Sequence, residues 1–259
     1  MNKEKYKITK KADYVGLKII LNELRSFHKD LHLTSLDKDS LAFQMRSTLN
    51  VFVPLHNLKD AINRIRINTN NDFVLKTRKL RKDLEFISHI RNKGAGHIDN
   101  EILERAVQWH PHIFRESTKE NEDYLSFECY RAVIESAINS YICKDGIQKV
   151  FETEIDLLYP PDAKKFYDFL WNLLMNSIDW VCDALEIIKS EITFYSDEQD
   201  IEYAAIAAKT SFDLKRESLL EFDPLETDRK LKEAIKLIKN MDDTDPKVIE
   251  FMEKMLLPK

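Results

Sequence analysis

Arg91, Asn92 and His97 lie in the stretch HIRNKGAGHID, residues 89 to 99, together with Gly94 and Gly96, which are half of the four glycines in a chain of 259 residues. A guanidinium can grip a phosphate through two parallel hydrogen bonds. An imidazole can pass a proton near neutral pH, and an adjacent amide can orient either group. Gathered around one anion, these side chains have the chemistry to bind or cleave a phosphodiester. The competing reading is a helix stop with polar neighbours, in which Arg91 and His97 only bond helix-end carbonyls.

The element that must position them is a helix from Asp72, an N-cap residue type, to about Lys93. Its apolar stripe runs Phe73, Thr77, Leu80, Leu84 and Ile87, and Arg91 is the next position in that progression. Eighteen residues at about 100° each make a whole number of turns, so Arg91 points where Phe73 points, toward the core or a partner subunit. A cation there needs acceptors, because burying it unpaired is costly. In an unbroken helix His97 would sit about 240° around from Arg91. Gly94 and Gly96 are therefore expected to adopt positive φ, end the helix near Lys93 and redirect the chain. Alternatively, the pair meets its copy across a two-fold axis.

Few glycines and seven prolines argue against a β-rich chain, which needs frequent turn residues. The fold class expected is all-α, a helical bundle. With 43% apolar and 33% charged residues the chain belongs among folded proteins. Helical spacing is read at Asp13 to Lys29, Asp39 to Val53, Leu55 to Ile67, Glu101 to Gln108, Leu125 to Cys143, Ala163 to Ser190, Asp197 to Glu221, Leu225 to Asn240 and Pro246 to Leu256. Pro54 marks a boundary or kink, and Gly146 a left-handed cap. The segment YPPDAKK, 159 to 165, divides the chain into a helical bundle over 1–158 and a C-terminal helical region over 162–259, which could pack into the same domain.

The formal charge of −5 is uneven: residues 59 to 93 hold ten bases against four acids. Arg78, Lys79, Arg81, Lys82 and Lys93 could receive phosphate, or could line a solvated helix face. Cys129, Cys143 and Cys182 form no C-x-x-C pair and are expected as reduced thiols, mostly buried, in a cytoplasmic protein. The N-terminus does not read as a secretory signal. The apolar helix from Ala163 to Ser190 carries Asp168, Asn172, Asn176, Asp179 and Asp183 on one stripe, which suits a water-bridged polar seam rather than a membrane span.

His110 and His112 flank Pro111 in an H-x-H that could hold a metal, but no third ligand is apparent nearby, and no metal or cofactor is expected. His28, His32, His56 and His89 are isolated and receive no role. There is no glycine-rich phosphate loop, G-x-S-x-G, H-E-x-x-H or kinase signature.

Arg91-Asn92 followed by His97 resembles the R-x(4–6)-H motif of HEPN domains, with its polar residue directly after the arginine. The resemblance covers residues 39 to about 145. It implies an all-helical bundle, HEPN-like in its N-terminal half, and a metal-independent endoribonuclease of toxin–antitoxin or phage-defence type, acting as a homodimer with a composite site. Under it Arg91 would hold the scissile phosphate, His97 would serve as general acid or base, and Asn92 would orient them while the RNA 2′-hydroxyl attacks. The alternative within the same resemblance is a non-catalytic RNA-binding domain or protein-interaction scaffold. A partner such as an antitoxin or a defence-system component is implied; a membrane is not.

Overall fold

The computed structural model describes residues 3–30, 38–65, 67, 71–96, 98–196, 199, 224–240 and 246–254. His97, His32 and all but residue 199 of the helix expected over 197–221 fall outside them. The architecture is an all-α helical bundle, with no strand among the described residues. One compact unit spans Met1–Ile192 and a second spans Thr193–Lys259.

In the first unit α1 (Lys3–Asp30) packs on α2 (Lys38–Arg64) and α6 (Pro160–Glu191), while α2 also packs on α3 (Asn71–Ile90) and α5 (Glu122–Asn139). The short α4 (Asn100–Trp109) lies on α5. α1, α2, α3 and α6 each contribute an apolar stripe to a common core: Leu17, Leu21 and Leu24; Phe52, Leu55 and Leu58; Leu80, Leu84 and Ile87; Leu170, Leu174 and Val181. Phe86 meets the rings of Tyr141, Phe151 and Phe169 at centroid distances of 5.3 to 5.7 Å. The stacked Phe73–Trp180 pair, with the Trp180 indole donating to Thr77 at 2.9 Å, joins α3 to α6. YPPDAKK is the entry to α6, with prolines in its first turn where their missing N–H groups cost nothing. No helix among the described residues is long and apolar enough to cross a membrane.

Three sequence expectations are corrected. Pro54 does not end a helix: α2 runs through it, and the buried residues on either side, Val51, Phe52, Leu55 and Leu58, anchor the segment where the proline removes one backbone hydrogen bond. Gly146 has the left-handed φ of 79°, but in a turn beneath the isolated Ile142–Gln148 bridge, α5 having already ended at Asn139. The cysteines are not buried: Cys129 is exposed, and Cys143 and Cys182 are partly so. Cys182 packs against the edge of the core without being enclosed by it.

The polar stripe of α6 is engaged in part by α3. Asp183 pairs with Lys76 at 2.8 Å, and Asn176 and Asp179 border a shallow groove with Lys79 and Asp83. Asp168 pairs with Lys164 one turn earlier on the same helix.

In the second unit α7 (Pro224–Lys239) and α8 (Pro246–Lys254) contact one another, with Lys239 bonding Glu253 at 2.6 Å and Ile235 buried.

Candidate functional site

After Ile90 the chain widens into a single π-turn, Arg91–Ala95, closed by the Gly96 N–H donating to the Arg91 carbonyl at 2.7 Å. Such widened turns recur at functional sites because they re-aim the side chains they carry. The glycines allow the turn for a reason other than the one expected. Gly96 has φ −83°, and Gly146 is the glycine with positive φ among the described residues. What Gly94 and Gly96 supply is room. A Cβ on the buried Gly94 would stand 3.1 Å from Val133 and 3.6 Å from Ala137 of α5. One on Gly96 would stand 2.6 Å from the Arg91 guanidinium carbon.

Arg91 is thus half-buried, its guanidinium laid across the Gly96 backbone. Its Nη1 donates to the Asn92 side-chain oxygen at 3.1 Å, while its Nε is buried and has no hydrogen-bond partner. Arg91 and Asn92 are therefore brought together as the sequence suggests. His56, on α2, stands near enough that the Arg91 charge contributes to lowering its pKa, after burial and against the pull of Asp60. Its Nδ1 contacts the Ser88 hydroxyl at 3.0 Å. His56 is a titratable ring within electrostatic reach of Arg91, and its place on a separate helix left no local motif to find it by.

The basic residues divide. Lys93 bonds Asp99 at 2.6 Å, and that hydrogen bond, the main cause, raises its pKa. Asp99 meanwhile caps α4 by accepting from Glu101 N at 2.9 Å. Arg78, Lys79, Arg81 and Lys82 are exposed on α3. They lie about 80 to 180° around that helix from the stripe that leads into Arg91. They form a face of their own rather than the wall of the Arg91 bend.

A second constellation has a buried centre. Glu128, Arg131 and Glu135 occur on one side of α5, all at most 2% exposed. Arg131 donates to Glu128 Oε2 through Nε at 3.1 Å and to Glu135 Oε1 through Nη1 at 2.9 Å. Glu135 also accepts from the Trp109 indole at 3.2 Å and from Leu157 N at 2.8 Å. The 3-10 turn Pro111–Phe114 swings both histidines of the H-x-H onto this group. His110 Nε2 stands 2.8 Å from Glu135 Oε2, and His112 Nε2 stands 3.0 Å from Glu128 Oε2. The third group missing near the H-x-H in sequence is Glu128, sixteen residues after His112. Its signal was the spacing Glu128, Arg131, Glu135, in which charged residues occupy the i, i+3, i+7 positions of a core stripe. Burial opposes ionisation of Glu128, but the hydrogen bonds from Arg131 and His112 outweigh it and hold the carboxyl below its usual range.

The fold and its features define an all-α bundle with an arginine-bearing π-turn and an internal His–Glu–Arg cluster. No protein-family model, no curated protein and no solved structure matches the chain.

Proposed function

We propose that the protein is a metal-independent endoribonuclease of the HEPN type, working in the cytoplasm as a homodimer within a toxin–antitoxin or phage-defence system and held in check by a partner such as an antitoxin. The observation that carries this reading is the Arg91 bend: a half-buried guanidinium, pinned over Gly96 with Nε lacking a protein partner. A phosphate is the anion whose geometry suits such a fork.

In the proposed reaction Arg91 binds the scissile phosphate and stabilises the charge that grows on it. His97 exchanges the proton and Asn92 orients the guanidinium it already contacts. The 2′-hydroxyl forms a new bond to phosphorus as the bond to the 5′-oxygen breaks, leaving a 2′,3′-cyclic phosphate and a 5′-hydroxyl. Purified protein incubated with RNA without added divalent cation is expected to leave cyclic phosphate ends. His97→Ala is expected to abolish cleavage with the fold intact. Undiminished cleavage by that variant refutes the assignment.

A second reading, RNA retention without cleavage by a binding or scaffolding domain, is favoured by the exposed Arg78, Lys79, Arg81 and Lys82 face, which stands apart from Arg91. Its mark is RNA binding that weakens steeply with salt and is unaffected by Arg91→Ala.

A further inference from the structure

We propose that His110, His112 and Glu128 form a binding site for one divalent transition-metal ion of the zinc class, which fastens the Pro111 turn to α5. The three residues each offer one donor atom, and these atoms lie within 4.8 Å of one another in a buried setting. Donors around a four-coordinate zinc stand about 3.3 Å apart, given bond lengths near 2 Å, so a closure of at most about 1.5 Å forms the set. Two imidazoles and a carboxylate are a donor set suited to zinc, with a fourth position left for water or a further carboxylate.

Two independent features favour a cation at this site. The first is unmet valence. Glu128 Oε1 is buried without a hydrogen-bond partner, and His110 Nε2, though 2.8 Å from Glu135 Oε2, is not aligned for a hydrogen bond with it, although buried polar atoms are nearly always satisfied. The second is charge. Two fully buried carboxylates, Glu128 and Glu135, face a single guanidinium, and Asp156, 3.7 Å from Arg131, adds negative charge from the surface. Burying that surplus is costly without a further positive centre.

The ring of His112 shows which centre fits. Arg131 Nη2, a donor in every protonation state, lies 3.1 Å from His112 Nε2, and Glu128 Oε2, an acceptor, lies 3.0 Å from the same nitrogen. Protonated, Nε2 suits the carboxylate and opposes the guanidinium; unprotonated, it does the reverse. A metal ion would take the lone pairs of both rings and an oxygen of Glu128 together, leaving the guanidinium to the remaining carboxylate oxygens. The ion is structural: it does not enter the proposed RNA chemistry, and its test does not measure cleavage.

The full-length protein, stripped with a chelator and then freed of it, is titrated with Co2+ and back-titrated with Zn2+. One equivalent of Co2+ is expected to bind, with the visible absorption of a low-symmetry four- or five-coordinate site that Zn2+ bleaches. His112→Gln is expected to raise the Kd at least about 100-fold, since losing a ligand exceeds the cost of losing a supporting residue. His89→Gln is expected to leave it unchanged. In the wild-type chain, Zn2+ must shift the Nε2 resonances of two histidines in nitrogen-15 NMR, a readout that stands even if a variant fails to fold. The absence of stoichiometric uptake by the wild-type protein, or an unchanged Kd in His112→Gln, overturns the site.

Discussion

The Arg91 guanidinium rests on the backbone of Gly96, five residues away, so closely that a Cβ there would meet three guanidinium atoms at 2.6 to 2.9 Å. The contact is local, and the guanidinium is the end of a flexible side chain. Gly96 itself has helical φ and ψ that alanine adopts readily. Gly96→Ala is therefore expected to change the unfolding free energy by less than about 1 kcal/mol while pushing Arg91 out of place. Under the ribonuclease reading its cleavage rate falls as far as that of Arg91→Ala, about 100-fold or more, by analogy with the loss of a transition-state donor. Denaturant unfolding and cleavage assays on the two variants, side by side, check it.

Gly94 presents the opposite case. Its hypothetical Cβ meets Val133 in a packed interior between the π-turn and α5, not a mobile side-chain tip. Gly94→Ala is expected to cost about 1–3 kcal/mol by overpacking, and Val133→Ala in the same chain is expected to recover part of that loss. Non-additivity in the double-mutant cycle, read by denaturant unfolding, is the diagnostic.

Stability should rise with pH across the imidazole range. His56 and His89 are both lowered, by burial first and then by nearby cations, Arg91 and Lys59 for the former and Lys93 and Lys149 for the latter. Below the ordinary value of 6.5 the unfolded chain binds protons that the folded chain resists. Their contribution is therefore complete above 6.5 and lost as pH falls through the depressed folded values. Glu128 acts in the same direction at lower pH, its lowered carboxyl losing its stabilising effect as pH drops below the usual 4.5. Unfolding curves between pH 4 and 8 measure the slope, and His89→Gln, which can keep a bond to Ser140, is expected to flatten its upper part.

Removing one partner from the buried charge cluster should be severe. Arg131→Gln takes away the guanidinium that both Glu128 and Glu135 face and leaves two carboxylates buried together. A loss of about 3–5 kcal/mol is expected, measured by denaturant midpoint at unchanged m-value.

Much of the bundle was legible because its apolar residues repeat at helical spacing. Asp72 and the stripe from Phe73 to Ile87 placed α3 to within a few residues, and the polar stripe on α6 kept that helix out of the membrane class. The prolines misled where tertiary packing prevailed: buried neighbours carry α2 through Pro54. The glycines misled because two physical roles share one residue type. Positive φ and close approach both demand the absence of a Cβ, and only coordinates tell them apart. The internal cluster was hidden for a different reason: Glu128, Arg131 and Glu135 sit where apolar residues belong, and their partners at Trp109, His110 and His112 come from a turn that has no periodicity to read.

Glu135 gathers the Trp109 indole, the His110 ring, the Arg131 guanidinium and the Leu157 amide onto two oxygens. The two connections that flank α5 are thereby moored to the same carboxylate. They cannot loosen one at a time: the indole proton of Trp109 and the amide proton of Leu157, 48 positions apart in the chain, should exchange with solvent as a single unit, at one shared rate of opening.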